Sequence, residues 1–157
     1  MLPEQELWLQ GLRAGQRMRF RPLGGSMIPF IRREDIVSIS PGPGCRLGDV
    51  VLWQAGENLV LHRVVAKRKG RIITKGDSLS HLDAPVAPKQ IRGRAILLER
   101  GGRVRRPNTF RQRWLGLAFS LTVPLIPGLM ALLLSIRRGV RAVLGRAVPP
   151  AYQEING

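Results

Sequence analysis

Cysteine is nearly absent from this chain: Cys45 stands alone among 157 residues, so no intrachain disulfide can close and the redox compartment stays open. Only two histidines, His62 and His81, accompany it, too few ligands for a structural zinc site, and no metal or cofactor is expected. No His or other base neighbours Cys45 in sequence, which argues against a cysteine nucleophile. Acidic residues are also scarce. Ten Asp and Glu face 26 Lys and Arg, a formal charge of +16 that suits a polyanionic partner, either nucleic acid or an anionic membrane surface. Internal repeats and low-complexity tracts are lacking. The first 25 residues lack the apolar run of a secretory signal, because Leu7-Trp8-Leu9 is short and Glu4, Glu6, Arg13, Arg17, Arg19 and Arg21 interrupt its surroundings.

Residues 1–21 read instead as a short amphipathic segment. Leu7, Trp8, Gly11 and Leu12 can share one helix face, either packed on the domain or lying in a membrane interface beneath an Arg-rich polar face. From Pro22 to about Arg106 the pattern is β. Strands are expected at 35–39, 49–53, 59–65, 71–74 and 90–99, with turns at Pro41-Gly42-Pro43-Gly44, Gly56-Glu57-Asn58 and Lys69-Gly70. Short strands so closely spaced imply a mainly β fold, a small coiled antiparallel sheet.

The character then changes. Gly101 to Arg113 is basic and Pro-containing, a linker or surface strand with the linker placed at 107–113, and the 23 residues from Trp114 to Ile136 carry no charged side chain. As a helix that span reaches about 34 Å, enough for a hydrocarbon core of about 30 Å. Pro124 and Pro127 would break a helix in water but are tolerated in a membrane, or mark a re-entrant hairpin. A buried pair of short helices is the alternative. Arg111, Arg113, Arg137, Arg138 and Arg141 flank the span on both sides, which suits anionic headgroups and leaves orientation undecided. Residues 137–157 are a basic tail. A membrane-associated location is expected, with the side of the active site open.

Chemistry concentrates in four places. Gly24-Gly25-Ser26-Met27-Ile28-Pro29 can expose a hydroxyl and aim backbone N–H groups at one point, as an oxyanion hole requires, although Gly-Gly-Ser is also a plain turn. A serine hydroxyl needs a neighbouring base. His62, in the strand Val60-Leu61-His62-Arg63-Val64-Val65, can supply it, whereas His81 lies in a polar loop. Lys75-Gly76-Asp77-Ser78 reads as a turn after a strand. Asp77 or Asp83 can orient an imidazole, and turn capping is the plainer role for Asp77. Lys67 and Lys69 are alternative bases in principle, but their neighbours read as a solvated hairpin tip.

Taken in order, Ser-Met-x-Pro at Ser26, Gly-Asp-Val-Val at Gly48, His-Arg-Val-Val at His62 and Lys-Gly-Asp-Ser at Lys75, with Asp83 six residues after Asp77, resemble the type I signal peptidase superfamily. That superfamily also holds the self-cleaving SOS repressor peptidases. Bacterial members carry Lys before Arg-Val, and the endoplasmic-reticulum-type branch carries His. The chain is similar to the Ser–His branch from about Leu23 to Glu99.

The resemblance implies a serine endopeptidase that cleaves a leader or precursor peptide after small residues. Ser26 would be the nucleophile and His62 its base. Asp83 would orient the imidazole, with Asp77 structural or sharing that task. The Ser26 backbone N–H would serve the oxyanion, and Met27, Ile28 and Val51 would line shallow apolar pockets. Many members place a second Ser two residues before the nucleophile, where this chain has Gly24. The family usually sets a membrane anchor before the serine box, whereas here the apolar span follows the 22–106 catalytic region. The expected location is a prokaryotic inner membrane, and the expected partners are a peptide or preprotein and an anionic membrane surface. Two other classes stand beside this reading. One is a non-catalytic membrane scaffold that keeps the fold. The other is a self-cleaving DNA-binding regulator, disfavoured because some twenty residues before the serine box are too few for a helix-turn-helix domain.

Overall fold

The computed structural model describes residues 3–123, which form one compact unit. It is mainly β, a seven-stranded antiparallel sheet carrying two helices. In chain order these are α1 (Pro3–Arg13), β1 (Met18–Phe20), β2 (Ile36–Pro41), β3 (Val50–Ala55), β4 (Asn58–Arg68), β5 (Arg71–Lys75), β6 (Ile91–Arg100), β7 (Arg103–Arg105) and α2 (Phe110–Thr122). The sheet runs β1-β2-β6-β3-β4-β5, and β7 pairs with β6. The five strands expected from sequence are present, each within a few residues of its expected limits. The short strand β1 is an addition, and β7 falls in the basic stretch 101–113 that reads as a linker or surface strand.

Turn chemistry sets the hairpins. Lys69 and Gly70 both take positive φ (47° and 71°) between β4 and β5, as a two-residue type I′ turn demands. Gly101 and Gly102 do the same between β6 and β7. Two strand entries share a second device. The carboxylates of Asp35 and Asp49, each fully buried, accept the backbone N–H three residues earlier, from Arg32 at 2.7 Å and Arg46 at 2.8 Å. Each closes a tight turn just before β2 or β3 and also meets arginine side chains, Arg100 on both oxygens of Asp35, and Arg94 and Arg113 on Oδ2 and Oδ1 of Asp49.

The core lies on both sides of the sheet. One cluster gathers Ile31, Val37, Ile39, Val50, Leu52, Leu61 and Leu98; the other gathers Val51, Trp53, Val64, Ile72, Val86 and Ile91. The alternation of Val50 and Leu52 against Val51 and Trp53 follows the strand period of two. Burying each such side chain contributes about 1.5–3 kcal/mol. Helix α1 buries Leu9 and Leu12, and its Trp8 stacks on Phe20 at 5.0 Å between ring centroids. Of the two readings for this segment, packing on the domain is the one observed. Leu7 is exposed and does not share the buried face.

Helix α2 starts within the expected linker. Thr109 caps it, accepting a hydrogen bond from the Gln112 N–H, and the helix buries Gly116, Leu117 and Ser120. Among the described residues no helix is long and apolar enough to cross a membrane. The expected span 114–136 overlaps α2 only at its beginning. Its remainder, with Pro124 and Pro127, and the tail 137–157 lie outside the described residues.

Candidate functional site

Ser26 sits in the loop between β1 and β2, in a tight run of turns that contains the cis Ile28–Pro29 bond. Opposite it, β4 carries His62, paired in register with Val51 of β3. The His62 Nε2 atom lies 3.1 Å from Ser26 Oγ, and Nδ1 lies 2.6 Å from Asp83 Oδ2. A carboxylate only accepts, so Nδ1 carries the proton and Nε2 presents a lone pair to the serine hydroxyl. The His62 side chain is only 8% exposed, so solvent competes little for either bond.

Asp83 reaches His62 because the chain after β5 folds back along it. Ile72 and Val86 exchange backbone hydrogen bonds at 2.9 and 2.8 Å, and the Asp83 N–H donates to the Thr74 carbonyl at 2.9 Å. The Thr74 hydroxyl donates in return to Asp83 Oδ2 at 2.6 Å. Thr74 is fully buried, so this donor has no aqueous substitute. Reading the residues in order did not single it out. A Thr that follows Ile72 and Ile73 in a short strand looks like an ordinary β former.

Asp77 lies elsewhere. Its two oxygens accept from Arg63 Nε and Nη2, each at 2.7 Å, and Arg63 Nη1 donates to the Gly48 carbonyl at 2.8 Å. Both residues are buried, and the Arg63 guanidinium also stacks 5.3 Å from the Phe30 ring centroid. The turn-capping role expected for Asp77 is replaced by this pair. Burial pushes the Asp77 carboxyl above its ordinary range, and the Arg63 hydrogen bonds and charge pull against that. Arg63 follows His62 directly, so its immobilisation also fixes the strand that presents the imidazole.

The third part of the site holds the serine loop. Ser78 donates its backbone N–H to the Ser26 carbonyl at 2.9 Å and its hydroxyl to the Ser26 and Gly25 carbonyls at 3.0 and 3.1 Å. Gly76 packs so closely that a Cβ there would lie 2.8 Å from the Ser26 carbonyl oxygen. Gly24 is the opposite case: a Cβ would meet nothing within 4 Å.

Beside Ser26 and His62 opens a cavity of about 320 Å³, walled largely by Trp8, Phe20, Leu23, Met27, Leu59 and Leu61. Met27 lines it. Ile28 is exposed and stands outside its walls, and Val51 belongs to the core. Trp8 and Phe20 replace them, brought in by the packing of α1. Nor do the lysines approach the serine: Lys67 donates to the Cys45 carbonyl, and Lys69 forms the hairpin tip. His81 is exposed. Among the described residues no three potential ligands cluster for a metal ion.

The arrangement can deprotonate a hydroxyl and hold the resulting imidazolium beside a carboxylate, next to an apolar groove. Comparison of the chain with protein-family models, with curated proteins and with solved structures gives no match.

Proposed function

We propose that the chain is a serine endopeptidase of the signal-peptidase kind that cleaves a leader or precursor peptide. The observation that carries this reading is the unbroken line from Ser26 Oγ through His62 to Asp83, at 3.1 and 2.6 Å. Such a line has little structural purpose, because a buried imidazole and carboxylate together cost desolvation that an apolar pair would avoid.

In the proposed reaction His62 Nε2 takes the Ser26 proton as Oγ attacks the scissile carbonyl carbon. Asp83 stabilises the imidazolium formed. The tetrahedral intermediate collapses as His62 returns the proton to the leaving amine, breaking the C–N bond and leaving an acyl ester on Ser26. Water, deprotonated by His62, then attacks the ester, and the proton passes back to Ser26. The apolar groove supports a substrate lying extended beside the serine loop with small apolar side chains in the cavity.

The test is hydrolysis of peptides bearing Ala-x-Ala sites by the detergent-solubilised chain, together with labelling by a fluorophosphonate. Turnover and labelling in the wild type, both lost in Ser26→Ala with the fold retained, are the expected result. A wild-type serine that neither labels nor cleaves would sink the proposal.

A further inference from the structure

Away from the serine, five arginines surround one open groove of about 630 Å³: Arg17, Arg46, Arg94, Arg106 and Arg113, from four separate parts of the chain. The one carboxylate among its walls, Asp49, is fully buried and already engaged, accepting from the Arg46 N–H at 2.8 Å and lying 3.6 and 3.5 Å from Arg94 and Arg113. Five guanidinia against one carboxylate leave the groove strongly positive. Thr109, the N-cap of α2, also lines it, and the first turn of α2 holds no acid, so the helix dipole adds to that field.

The adjoining face of α2 is apolar and uncovered. Phe110 and Trp114 are 68% and 52% exposed and pack edge-to-face against each other, and Leu121 is 52% exposed. At about 100° per residue these three fall within an arc of roughly 40°, and Phe110 sits one turn from Arg113. The same helix leads in sequence into the uncharged stretch that ends at Ile136.

We propose that the arginine groove and the Phe110–Trp114 edge of α2 form a single docking face for an anionic phospholipid bilayer. The guanidinia take headgroup phosphates, and the aromatic edge enters the boundary between headgroups and acyl chains. Arginine forks match phosphate oxygens, and Trp prefers that boundary. Nucleic acid would also answer the charge. It gives no reason for exposed Leu121 beside the aromatic pair, or for a sequence that continues without charge. The inference does not depend on the peptidase reading.

Vesicle binding by the full chain tests it. Vesicles of phosphatidylcholine with phosphatidylglycerol should bind at least tenfold more tightly than phosphatidylcholine alone. Arg94→Gln with Arg106→Gln should lower that affinity about thirtyfold, from the usual contribution of each basic residue near such a surface. Brominated acyl chains should quench fluorescence in the wild type, and the quenching should fall in Trp114→Phe. That variant leaves the groove intact, so this arm stays readable even if the arginine variant misfolds.

Equal affinity for both vesicles, or quenching that persists in Trp114→Phe, would overturn the proposal. So would binding of a DNA oligonucleotide or of inorganic phosphate that tracks the same two arginines while Trp114 stays unquenched by vesicles.

Discussion

Thr74 and Asp83 hold each other twice, the Asp83 N–H on the Thr74 carbonyl at 2.9 Å and the Thr74 hydroxyl on Asp83 Oδ2 at 2.6 Å. The oxygen that accepts from Thr74 also accepts from His62 Nδ1. Aim and hydrogen-bonding state of the carboxylate are thus set together. Thr74→Val keeps the shape and removes one donor to a charged group, so kcat/KM on a cleaved peptide should fall about tenfold or somewhat more. Asp83→Asn should fall further, by about four powers of ten, because an amide holds the wrong imidazole tautomer. Steady-state kinetics with the active sites counted by fluorophosphonate distinguishes the two.

Two glycines of the site should respond in opposite ways. A methyl at Gly76 would press on the Ser26 carbonyl oxygen. For the proposed peptidase, Gly76→Ala is expected to shift Ser26 and lower kcat about a hundredfold, with circular dichroism unchanged. Gly24 has room for a side chain. Gly24→Ser supplies the hydroxyl that the resemblance expects near the oxyanion, and kcat should rise up to about tenfold.

Arg63 and Asp77 form a buried ion pair whose members cannot be removed singly without stranding the other. Asp77→Ala should cost about 3–5 kcal/mol in urea unfolding, whereas Arg63→Met with Asp77→Leu should cost distinctly less. Gly116 ties this pair to α2, since a Cβ there would lie 2.2 Å from Arg63 Cζ, so loss of the pair should also loosen that helix.

The acid limb of stability should report on Asp35. Burial raises its carboxyl, but the Arg100 hydrogen bonds, the Arg32 N–H and the charges of both arginines outweigh that, and its pKa lies below the ordinary value. The unfolded chain therefore takes up the proton first as pH falls. The stabilisation is complete above the ordinary carboxylate range, near pH 3.9, and is lost as pH drops through the folded value. Asp35→Asn should lower Tm at neutral pH and flatten its fall into acid, as calorimetry across that range can show.

Strand positions and the turns at Gly56, Lys69 and Gly70 were legible in the sequence because period-two burial and φ-permissive residues are local signals. Ser26, His62 and the two candidate carboxylates, Asp77 and Asp83, could be picked out by residue type and order. Which carboxylate faces the imidazole could not, since Asp77 and Asp83 stand in the same loop and differ only in how that loop folds back on β5. The cavity walls were equally hidden. Trp8 and Phe20 reach the serine only because α1 packs beside β1, and Ile28 faces solvent despite its place next to Met27.

The sequence by itself determined the β pattern, the basic surplus, the uncharged stretch after Arg113 and the residue types able to deprotonate a serine. Each follows from covalent identity and short-range periodicity. Only the tertiary structure decided that Asp83 accepts from His62, that Arg63 claims Asp77, and that arginines from distant parts of the chain converge on one groove. Those pairings depend on strand register and on contacts between residues 14 or more apart in the chain, where no local rule reaches.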